Sequence, residues 1–307
     1  MRILFMGTPN YSSIILSYLL NSPFEVIAVV TQPDKPAKRG QHLSYPATKQ
    51  FLLEQNYNTL FAEILQPQSL KNNIEFYSKI HALAPDVILV AAYGKILPLE
   101  ILNLAPCYNL HASLLPKYRG ASPIQESLLQ GERTVGVSFM RMNEGLDCGD
   151  YLAQSVVELD NSINAEILFE KLAHVAGKLT LQCLDKLNYL CPLPQIEVDS
   201  SYCHKIRKQD GLVHFESATN ILRQYRAYSS FPGIFLKNGL KLKEIELYAE
   251  NGNYQAGRIL DILKDGVVIG CIQGSLLLKQ VQPPSKNPIS ALAYLNGKRL
   301  KNGDSLL

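Results

Sequence analysis

Asn109 and His111 stand two residues apart where the apolar run Cys107 to His111 ends, and Asp147 lies further on between Gly145 and Gly149. Alternate residues of a strand project from the same side, so the Asn109 amide and the His111 imidazole share one face. Ser113-Leu-Leu-Pro then turns the chain, and Gly145-Leu-Asp-Cys-Gly forms a second turn that returns a carboxylate toward the pair. An amide, an imidazole and a carboxylate that converge can donate hydrogen bonds to a reacting group and handle its proton. Taken singly, each also fits a structural role: Asn109 in a turn, His111 on the surface, Asp147 in an Asx-turn.

Positioning such groups takes a scaffold, and the first part of the chain alternates strand and helix patterns. Apolar β-prone runs at Ile3 to Met6, Val26 to Thr31, Val87 to Ala92 and Cys107 to His111 alternate with helical stretches at Ser12 to Leu20, Thr48 to Gln55 and Leu70 to Leu83. Nearly continuous apolar strands separated by helices predict an α/β fold, a doubly wound, mostly parallel sheet covered on both faces. In such sheets ligands bind beyond the carboxyl ends of the strands, which is where Asn109 and His111 would project. Strands over Thr134 to Arg141 and Tyr151 to Glu158 and a long helix over Ala165 to Leu187 complete this domain, residues 1–189. The periodicity fails from 190 to 207, where two prolines predict a linker. From 208 to 307 the pattern changes to a helix at Ser217 to Ala227 and five short β-prone runs near 234–237, 241–249, 256–263, 266–271 and 275–282. Asn-Gly, Asp-Gly and Gly-x turns separate these runs, and they predict a small OB-like barrel.

A chain of 307 residues with 47% hydrophobic and 19% charged residues suits about two globular domains and excludes global disorder. No apolar run reaches the roughly 20 residues of a spanning helix, and no secretory leader pattern opens the chain, so a soluble cytoplasmic protein is expected. The six cysteines form no Cys-x-x-Cys pair, so neither a disulfide framework nor a metal site is expected. Gly7-Thr-Pro-Asn follows the first strand but lacks the spaced glycines of a dinucleotide fingerprint. Gly94-Lys95 lacks both the first glycine and the Ser/Thr of a phosphate loop. Charge is uneven. Residues 1–204 carry fifteen basic against nineteen acidic side chains, a net of −4, whereas 205–307 carry fifteen against eight, a net of +7. A basic C-terminal part suggests a polyanionic partner. The stretch from Thr31 to Lys49, with Lys35, Lys38, Arg39, His42 and Lys49 among Pro33, Pro36 and Gly40, is too polar for a core and predicts an exposed positive loop.

The segment NLHASLLPKYRGASPIQ followed by GLDCGD closely resembles the catalytic signature of the folate-dependent formyltransferases. RILFMGTPNYS, TQPDKPAKRGQHLSYPATK, DVILVAAYGKILP and the β-rich C-terminal hundred residues resemble the branch of that family that formylates initiator tRNA, so the likeness spans nearly the whole chain. Tyr11 stands where Phe is more usual, Ala112 where Gly is common, and tryptophan is absent throughout.

The resemblance implies transfer of a formyl group from 10-formyltetrahydrofolate to the α-amine of methionine on initiator tRNA, with folate as cosubstrate and no metal. It assigns catalysis to Asn109, His111 and Asp147, the first two donating to the developing oxyanion. Asp147 orients His111 or a water and helps remove the amine proton. Folate is expected against Ser113, Leu114, Leu115 and Pro116 and in a flat slot at Val90, Ala92, Gly94, Ile96 and Leu97. For tRNA it implies that Lys35, Lys38, Arg39 and His42 reach the acceptor stem while Lys205, Arg207, Lys208, Lys298 and Arg299 track the backbone. No membrane and no obligate protein partner are implied. The competing readings keep the folate chemistry with a small amine or water as acceptor, or make the chain a nucleic-acid-binding module on an inactive scaffold. The basic loop and the basic C-terminal part weigh against the former. The presence of all three polar residues weighs against the latter.

Overall fold

The computed structural model describes residues 1–36, 43–55, 63–160 and 162–307, which fall into two compact units. Unit 1 comprises Met1–Pro123, Arg133–Leu159 and Leu168–His204. It begins β1 (Arg2–Gly7), α1 (Asn10–Leu20), β2 (Glu25–Val30), β3 (Lys35–Pro36), β4 (Leu43–Ser44), α2 (Ala47–Glu54) and β5 (Glu63–Leu65). There follow α3 (Ile74–Leu83), β6 (Val87–Ala91), α4 (Leu99–Leu102), β7 (Cys107–His111) and β8 (Arg119–Gly120). After α5 (Pro123–Leu129), which belongs to unit 2 from Ile124 on, come β9 (Thr134–Arg141), β10 (Tyr151–Glu158), α6 (Ala165–Asp185), whose first three residues also belong to unit 2, and β11 (Tyr202–Cys203).

Seven strands form one sheet in the order β10-β9-β7-β6-β1-β2-β5. The run from β7 to β5 is parallel, and β9 and β10 add an antiparallel edge. The mostly parallel α/β sheet expected from the apolar strands is therefore present. Leu4, Met6, Ala28, Val30, Ile88 and Val90 pack against Phe76 and Ile80 of α3 and Ile101 of α4. Alternate residues Ile3, Phe5, Val29 and Leu89 are equally buried on the other face, where α1 contacts β1, β2 and β6. Burial of each such aliphatic side chain contributes about 1.5–3 kcal/mol. Gly177 of α6 lets that helix lie against Tyr18, since a Cβ there would stand 2.4 Å from the ring.

The predicted helix over Leu70 to Leu83 starts later, at Ile74, because the Asn73 side chain accepts the Phe76 N–H at 3.1 Å and caps it. The expected linker belongs to unit 1 as far as His204: Leu193 pairs with Tyr151, and β11 lies parallel to β8.

Unit 2 comprises Ile124–Glu132, Asp160–Ile167 and Lys205–Leu307, with residue 161 outside the description. Its elements are α7 (Ala218–Ala227), β12 (Ile234–Phe235), β13 (Lys241–Ala249), β14 (Ile259–Ile262), β15 (Val267–Gly270), β16 (Ser275–Gln282), β17 (Ile289–Ser290) and α8 (Ala291–Lys298). All five β-prone runs are strands. They pair antiparallel in the order β12-β13-β16-β15-β14, with β17 beside β16. Ser217 caps α7 and Ser290 caps α8, each accepting a backbone N–H three residues on.

Candidate active site

The carboxyl end of β7 and the 145–149 turn bring the three expected polar side chains together. Asn109 Nδ2 donates to Asp147 Oδ1 at 3.3 Å, and His111 Nδ1 lies 3.6 Å from Asp147 Oδ2. Asn109 and His111 are buried at 9% and 5% exposure, so what they do they do away from bulk water, where hydrogen bonds and charge count for more. His111 Nε2 meets the Tyr118 carbonyl at 2.9 Å. A carbonyl only accepts, so this ring nitrogen carries a hydrogen. Nδ1 is then the ring nitrogen left to face Asp147, 3.6 Å from Oδ2.

Asp147 is anchored from three directions. Gly120 N–H donates to its Oδ2 at 2.9 Å, Asn109 holds Oδ1, and Gln195 Nε2 donates to its main-chain oxygen at 2.8 Å. Its backbone is left-handed, φ +50°, a conformation that costs a non-glycine residue about 1–3 kcal/mol and persists only when its surroundings impose it. Gly120 is required for this. Its φ is +115°, and a Cβ would stand 2.3 Å from the Cys203 carbonyl. Gly120→Ala is therefore expected to lower stability by more than about 1 kcal/mol in urea unfolding. It should also displace the N–H that holds Asp147 and so lower turnover; a variant with unchanged stability and turnover would contradict this.

The residues expected to hold folate divide into outward and inward groups. Ala92, Gly94 and Ile96 face outward beyond β6, Ile96 at 77% exposure, whereas Val90 and Leu97 are buried. The Ser113 to Pro116 turn spends its polar groups internally. Ser113 Oγ donates to the Lys117 carbonyl, Ser138 Oγ accepts the Leu115 N–H, and Gln154 donates to the Leu115 carbonyl. A cavity of about 440 Å³ lies between α4 and the segment that runs on to Asp147, lined by Leu99, Leu102, Cys107, Arg141, Met142 and Asn143 among others. These lining residues were not singled out in the sequence, where the apolar ones have the pattern of ordinary core.

Of the basic residues, Lys35 lies exposed in β3, while Lys38, Arg39 and His42 lie outside the described residues. Lys205, Arg207 and Lys208 are exposed at the start of the long part of unit 2, and Lys298 and Arg299 at the end of α8. Lys49 is occupied. Its Nζ donates to Asp34 Oδ2 at 2.6 Å and to Gln66 at 2.8 Å. Burial pushes the Asp34 carboxyl up, but the Gln66 and Lys49 hydrogen bonds outweigh that and hold it below the usual carboxylate range. Gln66 also donates to the Gln32 carbonyl, and Gln32 in turn to the Tyr93 carbonyl at 3.0 Å, so this network reaches the Ala92–Gly94 turn.

The family profile described as "Formyl transferase" matches residues 1–184, and the one described as "Formyl transferase, C-terminal domain" matches 205–299. The chain belongs to the formyl transferase family. One formyltransferase relative, from a Nitratiruptor species, is 55% identical over 99% of both chains and is named methionyl-tRNA formyltransferase. Two solved structures share the fold at low identity. HypX from Aquifex aeolicus in complex with tetrahydrofolic acid is 17% identical with a TM-score of 0.62, over 98% of this chain and 48% of that one. WlaRD, a sugar 3N-formyl transferase solved in the presence of dTDP and 5-N-formyl-THF, is 19% identical with a TM-score of 0.67, over 94% of this chain and 99% of that one. Among the described residues of this formyltransferase no helix is long and apolar enough to cross a membrane.

Proposed function

We propose that the chain transfers the formyl group of 10-formyltetrahydrofolate to the α-amine of methionine on initiator tRNA, in the cytoplasm. The observation that carries this reading is the end-to-end likeness to the Nitratiruptor relative, 55% identity with nothing substantial left over on either chain. The convergence of Asn109, His111 and Asp147 supplies the chemistry.

In this transfer the amine nitrogen bonds to the formyl carbon and the bond from that carbon to N10 of the folate breaks. One proton leaves the amine and one arrives at N10. Asn109 has a second amide hydrogen beyond the one given to Asp147, and it donates that hydrogen to the formyl oxygen as negative charge builds there. With His111 Nε2 committed to Tyr118, that N–H is not available to the formyl oxygen as expected from the resemblance; the ring acts instead through Nδ1, and the His111–Asp147 pair takes the amine proton and returns it to the leaving nitrogen. An esterified α-amine titrates below the usual value of about 7.7, so much of it is already neutral and positioning contributes more than basicity.

The cavity beside α4 would take a heterocycle rich in polar edges: Leu99, Leu102 and Met142 face it together with Asn103, Arg141, Asn143 and Glu144. Ala92, Gly94 and Ile96, exposed beyond β6, are a second expected contact for the folate. The basic residues around Lys35 to His42 contact the acceptor stem, and Lys205, Arg207, Lys208, Lys298 and Arg299 follow phosphates. Affinity for methionyl initiator tRNA is then expected to fall steeply with salt while folate affinity changes little. A salt-independent tRNA affinity would contradict the phosphate-tracking role. The sugar-acceptor reading has only a fold-level likeness behind it.

A further inference from the structure

We propose that Gln195 and Arg119 are positioning residues for formyl transfer, acting through a strap of chain, residues 195–203, that holds the Asp147 turn and the His111 ring in register. The inference takes the reaction from the reading above, while the strap itself rests on geometry alone. Gln195 Nε2 donates to the main-chain oxygens of Asp147 and Gly149 at 2.8 and 2.7 Å, and its Oε1 accepts from Arg119 Nε at 2.9 Å. Arg119 is 1% exposed, and its Nη1 reaches Glu197 at 2.9 Å and the Tyr202 hydroxyl at 2.9 Å. A buried guanidinium is costly unless its donors are used, and here they are used on three residues of the strap.

The backbone repeats the arrangement. Tyr118 N–H donates to Ser201 Oγ at 2.9 Å and Arg119 N–H to the Ser201 carbonyl at 2.8 Å. The residues so held carry the groups that orient the site, since the Tyr118 carbonyl holds His111 Nε2 and the Gly120 N–H holds Asp147 Oδ2. Gln195 itself is half-buried while its neighbours from Cys191 to Asp199 are exposed. The turn needs such support, because residues 143–146 are exposed and Asp147 carries a left-handed backbone.

Gln195→Glu separates positioning from mere packing. The variant keeps the side chain's size and gives Arg119 a stronger partner, but it sets an oxygen against the Asp147 and Gly149 carbonyls. Its kcat is expected to fall by about 10- to 100-fold through misplacement of the turn, with both KM values within about threefold of wild type. Labelling of Cys148 by iodoacetamide, followed by peptide mass, is expected to rise about tenfold as the turn opens. Cys148 sits in the same turn, partly buried, with its thiol 3.4 Å from Asn143 Oδ1. Wild-type kcat together with wild-type Cys148 labelling overturns the proposal. If the wild-type protein formylates no acceptor, the formyl-transfer reading fails by itself, and labelling still decides: a rise supports the strap, and an unchanged rate overturns it.

Discussion

Asp147→Asn is expected to lower kcat by about 10²- to 10⁴-fold, the span associated with a positioned acid–base group. The substitution is nearly isosteric, and the new Oδ1 still accepts the Gly120 N–H, so the turn keeps its anchor. What changes is the group facing His111. The oxygen that keeps the Gly120 N–H is also the atom facing Nδ1, so a neutral amide oxygen replaces a carboxylate oxygen there and the negative charge that would hold a proton on the pair is gone. The new amide also sets a donor opposite the Asn109 donor, so one of the two side chains must turn away. Steady-state rates with unchanged folding by circular dichroism would check this, and turnover within tenfold of wild type would remove Asp147 from the proton path.

Asn109→Ala is expected to cost about 10²–10³ in kcat, as for loss of a single oxyanion donor. Asn109 pairs with Met140 across β7 and β9, so truncation leaves the main-chain ladder in place. Because the amide acts on charge that develops only in the transition state, kcat and kcat/KM should fall together with little change in folate KM. A variant that raises KM alone would recast Asn109 as a binding residue.

Much of this site is legible in the sequence for a simple reason. Asn109 and His111 obey the two-residue period of a strand at its carboxyl end, and Asp147 sits between two glycines. Gly149 is needed because a Cβ there would stand 1.9 Å from the Arg141 carbonyl. Five short strands of unit 2 are equally plain, since each run is bounded by turn residues. Other features leave no local mark. β5 spans only three residues, too few for a periodic signal. Arg119, in the run Lys-Tyr-Arg-Gly, has the composition of a surface turn and is fully buried, because its partners lie some eighty residues on in a segment without periodicity. Gln195 belongs to that same segment. Lys49 has the appearance of one more loop cation, yet it is consumed by Asp34 and Gln66. The role of His111 turns on the Tyr118 carbonyl, a main-chain group whose position no side-chain motif encodes.

The most direct test is a single-turnover measurement with purified protein, labelled 10-formyltetrahydrofolate and equal amounts of initiator and elongator methionyl-tRNA. The expected result is labelled formyl-methionine on initiator tRNA, formed faster than on elongator tRNA and slowed at least about 10²-fold by Asp147→Asn. Release of the label as formate, or its transfer to an added amino sugar or glycinamide ribonucleotide but not to tRNA, would contradict the account.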